Sequence, residues 1–101
     1  MKDVHDIFTQ FKSEFPEINE ANETFGRTIH EAAAELPEQT RWLIKIAMSA
    51  GSGHHRALET HIVRAREAGA AESQILETLL LLIPTCGFPA FMEAYSSYKR
   101  Q

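Results

Sequence analysis

The sequence predicts an all-α fold, a compact bundle of about six helices in a single domain spanning residues 1–101. Three observations lead there. Apolar residues recur at helical spacing along most of the chain. No run shows the strict alternation of a half-buried strand, and no Asn-Gly or Asp-Gly pair marks a hairpin. Proline and glycine fall at intervals that suit helix ends: Pro16, Pro37, Gly51 with Gly53, Gly69, Pro84, and Gly87 with Pro89.

The first helix is expected from about Asp3 to Glu14, with Val4, Ile7, Phe8, Phe11 and Phe15 as its apolar stripe. Pro16 suits the first turn of a second helix, where its missing N–H costs nothing. That helix is expected to reach about Glu35, with Ile18, Phe25, Ile29 and Ala33 facing inward. The third starts near Glu38 and carries Trp42, Leu43, Ile46 and Ala47. Gly51 and Gly53 end it, because glycine takes the left-handed cap without a Cβ clash. The fourth is expected from about His54 to Ala68, and the fifth from Ala71 or Glu72 to Ile83, where Pro84 stops it. Ile75, Leu76, Leu79, Leu80, Leu82 and Ile83 cover most of that fifth helix, which demands burial on most sides, in the domain or in an oligomer. The last helix opens near Phe88 and runs through Phe91, Met92, Tyr95 and Tyr98. The Gly69–Ala70 turn is short enough to fold the fourth and fifth helices into an antiparallel pair.

Composition narrows the function. Fourteen acids against ten bases give a net charge of −4 with histidine neutral. Such a chain has no electrostatic pull toward nucleic acid or an anionic membrane. The longest apolar run, Leu79–Ile83, is far too short to span a bilayer. The start lacks the basic and apolar regions of a secretion signal, so a cytoplasmic protein is expected. The single cysteine, Cys86, cannot form an intramolecular disulfide.

The chemistry concentrates in Ser49–His61, a helix end, a glycine hinge and a new helix holding three of the five histidines. His54, Leu58 and His61 share one helix face. His54 and His61 lie roughly 10.5 Å apart along the axis, too far to grip one ion together. His55 and Glu59 are spaced to share one, but no third protein ligand is evident, and the pair reads as a surface contact. His61 is open to two readings from its helix face: a packing histidine, or a proton carrier poised near neutral pH.

With its surroundings, this segment resembles the carboxymuconolactone decarboxylase and alkylhydroperoxidase-D-like family. The resemblance covers about Leu43 to Tyr95. It rests on Ile46-Ala47-Met48-Ser49-Ala50, Gly53, His61, Ala65, Glu67-Ala68-Gly69-Ala70, Ile75-Leu76-Glu77 and Gly87-Phe88-Pro89-Ala90. It implies an all-helical subunit, homo-oligomers that are commonly trimers or hexamers, and a pocket between packed helices or subunits. That pocket is expected to draw on Trp42, Gly53, Ala57, Leu58, Cys86 and Phe88, with His61 and His54 as the catalytic pair and neither cofactor nor metal.

The peroxidase branch of the family carries Cys-x-x-Cys, a histidine four residues on, and a glutamate on the preceding helix. His61 matches the histidine. The cysteine positions fall on His54 and Ala57, and the glutamate position on Trp42. The reactive species there is a thiolate, so dithiol peroxidase activity is not expected. The decarboxylase branch also lacks the cysteines, but it usually has arginine and glutamate where this chain has His54 and Ala57, and Arg56 is out of register by two.

Three readings follow. The first is a thiol-independent lyase or hydrolase acting on a small lactone or organic acid. The second is a member that binds a small molecule or protein without catalysis. The third is a peroxiredoxin-type reductant working through Cys86.

Overall fold

The computed structural model describes residues 4–101. The expected start at Asp3 and the side chain of Val4 lie outside the described residues. Every described element is helical: α1 (Val4–Glu14), α2 (Pro16–Ala32), α3 (Glu38–Gly51), α4 (His55–Glu67), α5 (Glu72–Leu80), α6 (Leu82–Cys86) and α7 (Phe88–Lys99). Contacts divide the chain into two compact units, Met1–Glu35 and Leu36–Gln101.

In the first unit α1 and α2 pack on each other. Pro16 occupies the first turn of α2, as its fixed φ favours. The Phe11 and Phe15 rings meet at 5.5 Å, and the Lys12 ammonium covers the Phe8 ring. The inward face expected for α2 is corrected here: Ile18, Phe25 and Ile29 are exposed, as is Ala33. Two helices share one seam, and a single seam cannot cover a stripe that turns away from it.

In the second unit α3 is the hub and touches α4, α5, α6 and α7. Its Ile46 and Ala50 join Leu58, Ile62 and Ala65 of α4, Ile75 and Leu79 of α5, Leu82 of α6, and Phe91 and Ala94 of α7 in one buried cluster. Each fully buried leucine or isoleucine contributes roughly 1.5–3 kcal/mol. The principal partner of α4 is α3, with a smaller seam to α5. The stripe Leu58–Ile62–Ala65 is narrow and fits the broad face of α3.

The expected fifth helix is broken at Leu81. An α-helix running through Pro84 would need an N–H to bond the Leu80 carbonyl, and the proline ring would clash with that carbonyl. The chain instead ends α5 at Leu80 and restarts as α6, which holds Pro84 in its first turn. Ile75, Leu79 and Leu82 are buried, while Leu80, Leu81 and Ile83 remain exposed.

Gly69 closes α4 with φ +90°. Its N–H bonds the Arg66 carbonyl and the Ala70 N–H bonds the Ala65 carbonyl, a Schellman closure. Beyond the turn, Arg66 grips Glu72 through two bonds of 2.8 Å, and the Tyr98 hydroxyl donates to Glu72 at 2.8 Å. Arg66 also donates to Gln101, whose amide donates to the Glu59 carbonyl. This network ties α4, α5 and the chain end together.

The bonds from Arg66 and Tyr98 lower the Glu72 carboxyl from 4.5 to about 2. A depressed carboxylate stabilises the fold above its unfolded pKa and loses that contribution as pH falls through the folded one. The contribution is therefore present above 4.5 and lost between 4.5 and 2. Glu72 is half exposed, so screening holds it to about 1 kcal/mol or less. Thermal melts of Glu72→Gln are expected to fall below the parent at neutral pH and to converge with it toward pH 2.

Candidate functional site

The site is built on the turn between α3 and α4. Gly53 has φ +73°. Its N–H bonds the Ala50 carbonyl at 3.2 Å, and the His54 N–H bonds the Ser49 carbonyl at 2.9 Å. This second Schellman closure ends α3 and starts α4 within a few residues, and α4 packs back along α3.

His61 of α4 is thereby laid against the last turns of α3. Its Nδ1 lies 2.9 Å from Ser49 Oγ and 3.2 Å from the Lys45 carbonyl oxygen. A carbonyl oxygen only accepts, so Nδ1 carries the proton in that bond, and Nε2 is then the basic nitrogen of the ring. Ser49 is buried and His61 is half-buried.

Trp42 stands beside them, its ring centroid 5.7 Å from that of His61 with the planes at 44°. The indole N–H donates to Glu38 Oε1 at 2.8 Å, while Glu38 Oε2 pairs with Arg41 at 3.0 Å. The Lys45 ammonium lies over the Trp42 ring, 4.4 Å from its centroid. Burial pushes the Lys45 amine below its ordinary range; Glu38 opposes that shift and Arg41 adds to it.

Sequence reasoning missed Glu38, Lys45 and Ser49. A signal was present. Glu38, Trp42, Lys45 and Ser49 stand at spacings of four, three and four, one continuous stripe of α3.

The other expected site residues are dispersed. His54 is exposed at the N-cap of α4. Gly53 is exposed in the turn and Ala57 is half-buried. Leu58 is fully buried and belongs to the core. Phe88 is exposed at the start of α7, with its ring 6.0 Å from Phe91. His55 turns toward α7 rather than toward Glu59: its Nδ1 is 3.3 Å from Ser97 Oγ and its Nε2 is 3.5 Å from Glu93. Among the described residues, no three His, Cys, Asp or Glu side chains converge as metal ligands.

Cys86 is exposed at the end of α6, and a Cβ built on Gly51 would lie 3.2 Å from its sulfur. The sequence holds no second thiol to resolve an oxidised one. Cys86→Ala is therefore expected to match the parent in a hydroperoxide consumption assay. A robust turnover lost on that substitution would restore the peroxidase reading.

An imidazole held by a hydroxyl and a main-chain carbonyl, on a helix folded back by a glycine turn, defines a small helical domain of the alkylhydroperoxidase-D-like kind with its thiols absent. The chain belongs to the carboxymuconolactone decarboxylase family, whose model matches residues 16–99. The match reaches beyond the stretch from Leu43 to Tyr95, taking in α2 and nearly all of α7. No curated protein and no solved structure matches the chain. Among the described residues, no helix is long and apolar enough to cross a membrane.

Proposed function

We propose that this family member is a thiol-independent lyase or hydrolase acting on a small lactone or organic acid through His61, with the exposed His54 as a second proton-carrying group. The observation that carries the reading is the double tether of His61 Nδ1 to Ser49 and the Lys45 carbonyl. A ring held through one nitrogen has its tautomer and orientation set, and the other nitrogen is the one that exchanges a proton with a substrate. Trp42 gives an apolar wall to a small ring or chain, and Arg41 and Lys45 supply positive charge for a carboxylate.

The test uses the protein's only tryptophan, Trp42. Its fluorescence is followed while muconolactone-type acids are added, and carbon dioxide release or ring opening is measured in parallel. Saturable quenching with turnover supports the proposal. Quenching without turnover supports the second reading, a binding protein, which draws on Trp42 standing where the peroxidase branch has its glutamate. The absence of both opposes either.

Self-association is part of the proposal. The exposed Leu80, Leu81 and Ile83 cluster in sequence around the α5–α6 break, and apolar surface of that kind suits an interface between copies. Sedimentation is expected to give a mass above the 11.4 kDa of one chain, as in a trimer or hexamer; a monomer at micromolar concentration contradicts this.

A further inference from the structure

The same cluster contains a group that the proposal above does not use as a reactant. Lys45 shares its helix turn with the carbonyl that holds His61, and its side chain crosses the indole that packs against the imidazole. The amine and the proton carrier thus touch one aromatic surface. A lysine becomes a nucleophile when water is removed around it or when a second cation stands close. Both conditions occur here. The side chain is only partly exposed, and Arg41 stands one turn earlier on the same helix. The indole face and Glu38 favour the ammonium form, while burial, the largest of the acting influences, favours the neutral amine.

We propose that Lys45 is a carbonyl-capturing amine, forming an imine with a small 3-oxo acid lying against Trp42 while His61 moves the proton. The proposal rests on the preceding reading for the part of His61 and names a substrate class for it. The lone pair of neutral Nζ adds to the carbonyl carbon, and the oxygen takes up the proton that nitrogen releases. Water leaves as nitrogen forms the double bond, giving an iminium. In a 3-oxo acid the carbon–carboxylate bond then breaks, its electron pair neutralises the iminium, and carbon dioxide departs. The resulting enamine takes a proton on carbon from His61. Hydrolysis frees the ketone and the amine, and His61 regains its proton from solvent. The balance is a 3-oxo acid and one proton in, a ketone and carbon dioxide out, with no net oxidation.

Trapping tests this directly. The full-length protein is treated with acetoacetate and sodium cyanoborohydride, whose hydride converts the iminium to a stable secondary amine, and peptides are mapped by mass spectrometry. The chain has three other lysines, Lys2, Lys12 and Lys99, as internal references. Labelling of Lys45 is expected roughly tenfold faster than at the references, the change that one unit of amine pKa gives. Lys45→Arg keeps a cation on the indole and is expected to lose the fast label while melting with the parent. Equal labelling at all four lysines overturns the proposal, as does a fast label that persists in Lys45→Arg. His61→Gln separates the two readings: its label at Lys45 is expected to remain while carbon dioxide release falls. Loss of trapping with His61-dependent turnover intact removes only the role of Lys45, whereas trapping with turnover indifferent to His61 removes the role of His61.

Discussion

His61→Ala is expected to lower turnover of a small acid substrate by roughly 10²–10⁴, the usual contribution of a positioned acid–base group. Its effect on stability is expected to be small. His61 is half-buried, and it meets α3 through Ser49, the Lys45 carbonyl and the Trp42 ring rather than through the apolar cluster. The hydrogen bonds contribute about 1 kcal/mol. The Ser49 hydroxyl is well placed to bond back to a carbonyl of its own helix once the ring is gone. Thermal melts with activity or ligand titrations check both halves. A melt depressed by several kcal/mol with unchanged binding would make His61 a packing residue and remove the catalytic reading.

Leu58→Ala is expected to have the opposite signature. Leu58 lies one turn before His61 on α4 and is fully buried. Truncating a buried leucine costs about 2–5 kcal/mol, from lost transfer energy and the cavity left behind. Domains of this size are stable by only about 5–15 kcal/mol, so the variant sits near its limit. Since Leu58 anchors α4 on α3, the loss also loosens the seam that brings His61 to Ser49. Denaturant unfolding is the measurement; a shift below 1 kcal/mol would mean that α4 is not held by this contact.

The two substitutions separate what the chain discloses in one dimension from what it does not. Helical periodicity identified α3 and α4 and their ends, because Gly53 and Gly69 mark closures that depend only on local backbone. The family resemblance picked out His61. Its partners were harder to see. Ser49 and Lys45 read as ordinary helix residues until the crossing of α3 and α4 is known, and that crossing follows from the packing of Ile46, Leu58 and Ile62. His54 shares a face with His61 on paper, yet as the N-cap it is exposed and bonds the α3 end through its backbone. The α5 break shows the reverse case. Pro84 stood in view as a stop, but its effect falls one turn earlier, at the carbonyl that its ring would strike. The apolar stripe of α2 announced burial that a two-helix unit has no second seam to supply.

The account turns on which nitrogen of His61 carries the proton. Long-range proton–nitrogen correlation NMR on ¹⁵N-histidine-labelled protein reads this without a substrate, with His61→Gln assigning the signal. The tether to the Lys45 carbonyl predicts the Nδ1–H tautomer, with Nε2 as the unprotonated, basic nitrogen in the neutral ring. An Nε2–H tautomer, with Nδ1 accepting from Ser49, would contradict it and leave the ring without the basic nitrogen that the proposed chemistry requires.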